Sequence, residues 1–477
     1  MRTADKQLTK DARVMLGDPR RALRMMALPM LVSLLVAQVN SFVDTFWCSS
    51  LGAIPLAAVG LVASFYLIIS GIGSGVGIGI SASIAAKVAM KRKEEADAVA
   101  SQSIVFMAVI GLIITPITLA IGNPIIRAVG GAEMYDDCVS YALPFFLGAV
   151  FIVMQGILAG ILRGEGASRR AMAMMASAAV LNIVFDPLFT FVLGWGIAGL
   201  AWATVAATAL SAIPFFYWYL LRSNTTYVDI HRSMMRPQRP VLRDLLSVGI
   251  PKTIELDIMA TMNFPLNFFV VAAAGAEGFA VYATSWKFVE LMLVPSVALA
   301  SALVPICAAA FQRKDLGKMR FTYAYAMAWA LAIAAAEAVL LCILTDHAVV
   351  MFTYSDGSIG LRGDIIHVTR VFMIIGVLYS AINISSSLLQ SMRMANSSMW
   401  STFIRNMVLL LTFAFCSAYD LNAICWGFVA CEVFGMFLMV GWAEAGFRMR
   451  KGEVLRHPSG SRWPSPPADV RTVRRIY

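Results

Sequence analysis

Apolar runs of about 20 residues, separated by short clusters of charge, recur along the whole length of this chain, and a run of that length crosses a bilayer as a helix. They lie near residues 26–48, 56–86, 100–121, 138–162, 171–194, 196–221, 243–273, 278–311, 320–345, 366–392, 399–419 and 421–446. Runs of that length predict membrane-crossing helices. The expected fold is an all-α membrane protein with twelve transmembrane helices. The second run is rich in glycine (Gly71, Gly73, Gly75, Gly77, Gly79), which lets neighbouring helices approach closely.

Composition agrees: 59% of the 477 residues are hydrophobic and 14% charged, at a mean hydropathy of +0.75. A soluble protein carries about 25% charged residues. Charge also alternates between loops. Of the 38 Lys and Arg residues, only Arg127 and Arg362 lie in loops of one face, among Glu133, Asp136, Asp137, Asp346, Asp356 and Asp364. Lys252, Lys287, Arg370 and Arg405 lie inside or at the edge of spans, and the rest fall on the other face. The positive-inside rule makes that basic face cytoplasmic and puts both termini inside, in a plasma or inner membrane. The net charge of +10 is thereby explained by topology and implies no nucleic acid. Residues 1–24 are polar and lack a cleavable signal, so the first span is expected to be retained. Residues 447–477, with Pro458, Pro464, Pro466 and Pro467 and the arginines Arg471, Arg474 and Arg475, read as a disordered tail touching the inner leaflet. The seven cysteines and four histidines show no metal-ligand spacing, so the cysteines read as small core residues.

The two halves repeat. "ALPM" at Ala27–Met30 matches "GIPK" at Gly249–Lys252, "AAKVAMKRK" at Ala85–Lys93 matches "ICAAAFQRK" at Ile306–Lys314, and "ILRGEGASRR" at Ile161–Arg170 matches "SMRMANSSMW" at Ser391–Trp400. An even number of spans per half keeps the orientation, which predicts two six-helix lobes about a pseudo-two-fold axis normal to the membrane. The expected division is a cytoplasmic segment 1–24, an N-lobe 25–222, a linker 223–242 with Pro237 and Pro240, a C-lobe 243–446 and the tail 447–477. Duplicated transporters of this kind bind substrate between halves and rock them.

Asp44 and Asp186 sit inside apolar runs, where a carboxylate costs roughly 2.5–3.5 kcal/mol on insertion scales. At 1.5 Å per residue Asp44 lies about 30 Å along its helix from Arg24, Asp186 about 24 Å from Arg170, and Thr204 about 12 Å below the outer face. All three share the outer half of the membrane. Asn40 and Asn182 stand one turn before the two aspartates, on the same helix faces. One intramembrane aspartate can be a structural hydrogen bonder; two at matched depth, each beside an amide, suit a cation. Oxygen ligands replace the hydration shell of Na⁺, and paired carboxylates in low dielectric exchange a proton. Pro187 frees a carbonyl near Ile183, a further candidate ligand, and Pro29 is a candidate bending point. The second half has Leu266 and Cys416 near the corresponding places. Its acids are elsewhere: Lys287 and Glu290 read as a structural pair, Arg405 and Glu432 as candidate partners. Glu337 has no role legible in the sequence. Glu255 and Asp257, two apart on the seventh span, face differently, and one of them, Glu255 in preference, is a candidate contact for a cationic substrate. Met175, among many methionines, is a candidate lining residue of an adaptable substrate path.

The motifs "VNSFVDTF" (Val39–Phe46), "LNIVFDPLF" (Leu181–Phe189), "GIAGLAWAT" (Gly196–Thr204) and "LRGEG" (Leu162–Gly166) resemble those of the multidrug and toxic compound extrusion (MATE) family, nearest its archaeal and DNA-damage-inducible branch. The resemblance spans roughly residues 18–446. It implies export of organic cations and drugs in exchange for Na⁺ or H⁺, by a membrane-embedded monomer needing no cofactor beyond the coupling ion. It carries the ion site onto Asp44, Asn182, Asp186 and Thr204 and the bending proline onto Pro29. One subgroup's glutamate on the seventh span falls on Met259, with Glu255 a turn earlier. Among alternatives, a flippase of lipid-linked precursors from the same superfamily would line its cavity with cations, whereas the first-half acids are negative; a metabolite exporter is a further alternative. A channel needs a filter repeat, and an enzyme a nucleophile–base pair; neither pattern is visible.

Overall fold

The computed structural model describes residues 8–221, 225–352 and 360–456. The Pro-rich stretch of the tail, 457–477, residues 1–7 and linker residues 222–224 lie outside these, as does Asp356. The chain is about 90% helical, with no strand among the described residues. Eleven helices are long and apolar enough to span a membrane, and one bent pair completes a twelfth span. They are α1 (Pro19–Cys48), α2 (Ala58–Ala89), α3 (Lys93–Arg127), α4 (Met134–Leu147 and Ala149–Gly164), α5 (Ser168–Val192), α6 (Gly196–Tyr219), α7 (Arg239–Gly275), α8 (Glu277–Gln312), α9 (Leu316–Ala348), α10 (Arg362–Ser391), α11 (Ala395–Cys416) and α12 (Leu421–Glu453).

Most helices outrun the apolar segments that predict them; the third, read from residue 100, begins at Lys93. Hydropathy reports contact with lipid, while backbone hydrogen bonding continues into the polar interface. The fourth span, read as one straight run, bends by 50° at Gly148. Pro144 lies one turn earlier, and Gly148 N–H bonds its carbonyl at 2.7 Å. Pro144 has no N–H to give Ser140, which leaves the turn before it weak. The α7–α8 corner is made by Gly275 at φ +65°, a conformation open to glycine.

Four turns on the basic face repeat one device. Lys91, Gly166, Lys314 and Arg393 each adopt positive φ. The following N–H reaches five residues back in each: Arg92 to Lys87, Ala167 to Leu162, Asp315 to Ala310 and Met394 to Leu389, at 2.8–3.0 Å. These are Schellman ends, and they fall at the α2–α3, α4–α5, α8–α9 and α10–α11 corners. The internal repeat is thus written in turn geometry as well as sequence. Three of the four corners place a basic residue, not glycine, in the strained position.

Packing centres on α2, whose glycines form two faces. A side-chain carbon on Gly73 or Gly77 would stand 2.7 and 2.2 Å from the carbonyls of Val153 and Gly156 in α4, the neighbour within the lobe. One on Gly75 or Gly79 would meet Thr253 and Leu245 of α7, in the other lobe, at 2.4 and 2.3 Å. Helix backbones therefore touch both inside the first lobe and across the seam. Large exposed apolar side chains such as Leu112 (76%) and Leu411 (70%) cover the outside, as contact with lipid requires.

Candidate functional site

The site is assembled by α1, α5 and α6. Asn40 and Asp44 are one turn apart on α1, Asn182 and Asp186 one turn apart on α5, and Thr204 comes from α6. Asn40 Nδ2 donates to Asp44 Oδ2 at 3.2 Å and to Asn182 Oδ1 at 3.0 Å. Asn182 Nδ2 donates to Asp186 Oδ1 at 2.6 Å, and Thr204 Oγ1 donates to Asn182 Oδ1 at 3.4 Å. Asn182 is the hub: its amide N–H₂ orients one carboxylate while its carbonyl gathers the amide of the other helix and the hydroxyl. All five predicted residues meet in one cluster.

The two carboxyl groups face each other within hydrogen-bonding reach. Asp44 Oδ1, Asp186 Oδ2 and Asn40 Oδ1 are buried without a donor. Two bare carboxylates at that separation repel strongly in low dielectric. A shared proton, or one small cation between them, removes the repulsion and fills the orphaned oxygens. An arrangement of this kind can exchange a proton or a small cation, and its charge would change by one unit with each such exchange.

Pro187 lies within the helix, which runs on into a π-turn at Leu188–Val192, where Leu193 N–H bonds Leu188 O at 2.9 Å. That turn carries Thr190, whose buried hydroxyl has no partner. Sequence reasoning passed over Thr190, although it stands four residues after Asp186. It also passed over Trp47, whose indole N–H, one turn beyond Asp44, is likewise buried and unpaired. Pro29 is buried inside α1, which continues through it.

The other acids divide differently. Glu255 is buried and already occupied: Lys252 Nζ lies at 2.7 Å, and Ser386 and Ser398 donate at 3.0 and 2.7 Å. The open carboxylate expected of a substrate contact is here a filled polar node within the second lobe. Met175 is half-buried and packs against the buried apolar core. Asp257 Oδ1 and Glu337 Oε2 are buried without donors. Arg405 and Glu432 pair at 3.1 Å, nearly sealed from solvent, with the guanidinium 5.0 Å from the Tyr379 ring centre. Lys287 and Glu290 pair at 3.1 Å on an exposed face.

Glu165 of "LRGEG" holds the connection that leaves the first lobe. Its Oε2 accepts from Tyr227 N and Val228 N at 3.0 and 3.1 Å. Burial pushes its carboxyl up to about 7. The same segment is tied by Asp229 N to Asp97 (2.8 Å), His231 N to Ser101 (3.0 Å) and Gln238 N to Gln102 (3.0 Å). Asp97, Asp229 and His231 cluster tightly enough to suggest a metal. Lys93 Nζ, at 2.6 and 2.7 Å from the two carboxylates, already supplies the cation there.

The MatE family profile matches residues 29–188 and 251–416, more than half of the chain and once in each half. The chain belongs to the MatE family. It is a multi-pass membrane transporter, not an enzyme. It is similar to the multidrug export protein MepA of Staphylococcus aureus, 22% identical over 357 residues covering 74% of this chain and 78% of the relative. The MepA of Staphylococcus saprophyticus is 22% identical over 412 residues, 85% of this chain and 89% of the relative. Among solved structures, a MATE protein in complex with MaL6 superposes with a TM-score of 0.89 at 29% identity, covering 93% of this chain and 100% of that one. A MOP-superfamily transporter from Pyrococcus furiosus gives 0.89 at 29%, covering 93% and 99%. An outward-facing multidrug-resistance MATE transporter gives 0.87 at 29%, covering 94% and 100%.

Proposed function

We propose that this MATE transporter is a secondary antiporter that exports organic cations and drugs, driven by Na⁺ or H⁺ entering through the Asp44–Asp186 site. The observation that carries the reading is the pair of facing carboxylates, each held by an asparagine, with buried oxygens that only a small cation or proton completes. The multidrug relatives support the substrate class.

Movement follows from where the lobes are joined. On the basic face α2 and α7 are linked by Lys87 Nζ to Asp244 at 2.6 Å and Ser83 Oγ to Asp244 at 2.5 Å. Arg313 Nε donates to Ala89 O at 2.9 Å, and Lys318 Nζ to Leu16 O and Gly17 O at 2.7 Å. The lobes, residues 25–222 and 243–446, rock about this seam, with 223–242 as the connection between them. The basic face is cytoplasmic and both termini lie there. In that orientation the structure is closed to the cytoplasm, and the ion site lies toward the outside, ready to load. Loading neutralises the repulsion between α1 and α5; Pro29, lacking one backbone bond, lets α1 yield. The test is efflux of a fluorescent cation such as ethidium from proteoliposomes under sodium and pH gradients imposed separately. Acceleration by one gradient is expected; equal rates with neither gradient and with either would overturn antiport.

A further inference from the structure

We propose that one anionic phospholipid, drawn from the leaflet at the basic face, binds between α1, α8 and α9, its phosphate on Arg24 and one acyl chain in the cleft beside it. The cleft encloses about 260 Å³. Leu23, Ala27 and Leu31 line it from the first lobe, and Pro295, Leu299 and Trp329 from the second. Its one charged lining residue among those described is Arg24.

Depth and charge choose the occupant. At 1.5 Å per residue Arg24 lies about 8 Å beyond the start of α1, and Trp329 about 20 Å beyond the start of α9. These helices are 30 and 33 residues long, well over the ~30 Å hydrocarbon core, so their first turns stand at headgroup level. Arg24 is thus at phosphate height and the cleft at acyl depth. Its guanidinium has no acid partner among the described residues; its Nε donates to its own helix, at Arg20 O, 3.4 Å. Arg20 lies over Phe321 at 5.2 Å. From there Phe321, Tyr325 and Trp329 form a ladder up one face of α9, with centroids 6.0 and 6.3 Å apart. A phosphate would meet two unneutralised arginines, and the chain attached to it an aromatic wall. An organic cation would be repelled by the same residues. The lipid would touch both lobes at the closed seam and favour that state. This reading is independent of the coupling ion.

Native mass spectrometry of the purified full-length protein, titrated with phosphatidylglycerol or phosphatidylcholine, tests it. Expected are a first phosphatidylglycerol adduct at least fivefold tighter than phosphatidylcholine, weakening about fivefold in Arg24→Gln and persisting in Arg24→Lys, the scale of one basic contact at a membrane surface. Equal affinity for the two lipids, or an unchanged adduct in Arg24→Gln, would overturn the proposal. A tail-diazirine phosphatidylglycerol on the unmutated protein is an independent measure. Crosslinks concentrated in residues 23–31, 295–299 and 325–333 support the site; crosslinks spread evenly over the spans refute it.

Discussion

Replacing Asp244 by asparagine should loosen the closed seam between the lobes. Asp244, near the start of α7, takes Lys87 and Ser83 from α2 on one oxygen and Arg393 on the other. Asparagine keeps an acceptor for Ser83, and Arg393 keeps its 3.1 Å bond to the Asp244 carbonyl. The loss is therefore the charge and one of the two accepting oxygens, and it leaves Lys87 and Arg393 as neighbouring cations. The side chains of Lys87 and Asp244 are 14% and 25% exposed. That lies between surface pairs, worth up to about 1 kcal/mol, and sealed ones, where removing a partner costs about 3–5 kcal/mol. An intermediate value of about 2 kcal/mol shifts the open–closed ratio roughly 30-fold. Spin labels at Glu94 and Lys451, exposed on the basic face in different lobes, would report it by pulsed dipolar spectroscopy. A longer-distance population should appear in Asp244→Asn, and more weakly in the unmutated protein at high salt. Identical distance distributions would refute the assignment of the seam as a charge-held closure.

Other expectations follow from single contacts. Glu432→Gln strands Arg405 in the core of the second lobe and should cost about 3–5 kcal/mol, read as lost melting temperature in detergent; Glu290→Gln, on an exposed pair, should cost less than about 1 kcal/mol. Gly77→Val drives a side chain into the Gly156 carbonyl and should destabilise by at least about 1–3 kcal/mol; a wild-type melting temperature would show that α2 and α4 can part freely. Burial raises the Glu165 carboxyl from 4.5 to about 7. Its contribution to stability is accordingly full below about pH 4.5 and lost as pH rises through 7, by at most about 3 kcal/mol. Hydrogen exchange of residues 225–238 should speed up over that interval, and Glu165→Gln should flatten the profile; equal slopes in both proteins would contradict it.

Much of this was legible in the chain. A membrane span is set by length and apolarity, both local, so all twelve spans could be read. That Asn40, Asp44, Asn182, Asp186 and Thr204 would meet was legible because each acid stands one turn from an amide, and helical depth follows from counting. What connects distant segments was not. Glu165 looks like a loop acid in "LRGEG", and nothing local says that it receives two N–H groups from Tyr227 and Val228. Glu255 looked available because its partners Ser386 and Ser398 are far away in sequence. The bend at Gly148 lies within an unbroken apolar run, where hydropathy carries no information about backbone hydrogen bonds.

The Asp44–Asp186 pair is tested most directly by gradient-driven efflux from proteoliposomes carrying Asp44→Asn or Asp186→Asn. Asparagine preserves shape and an acceptor for the neighbouring amide, so each variant should stay folded and monodisperse. The missing charge should cut coupled efflux at least about 100-fold, the factor that roughly 3 kcal/mol of lost buried pairing implies. Efflux at the wild-type rate from either folded variant would contradict a coupling ion held between those two carboxylates.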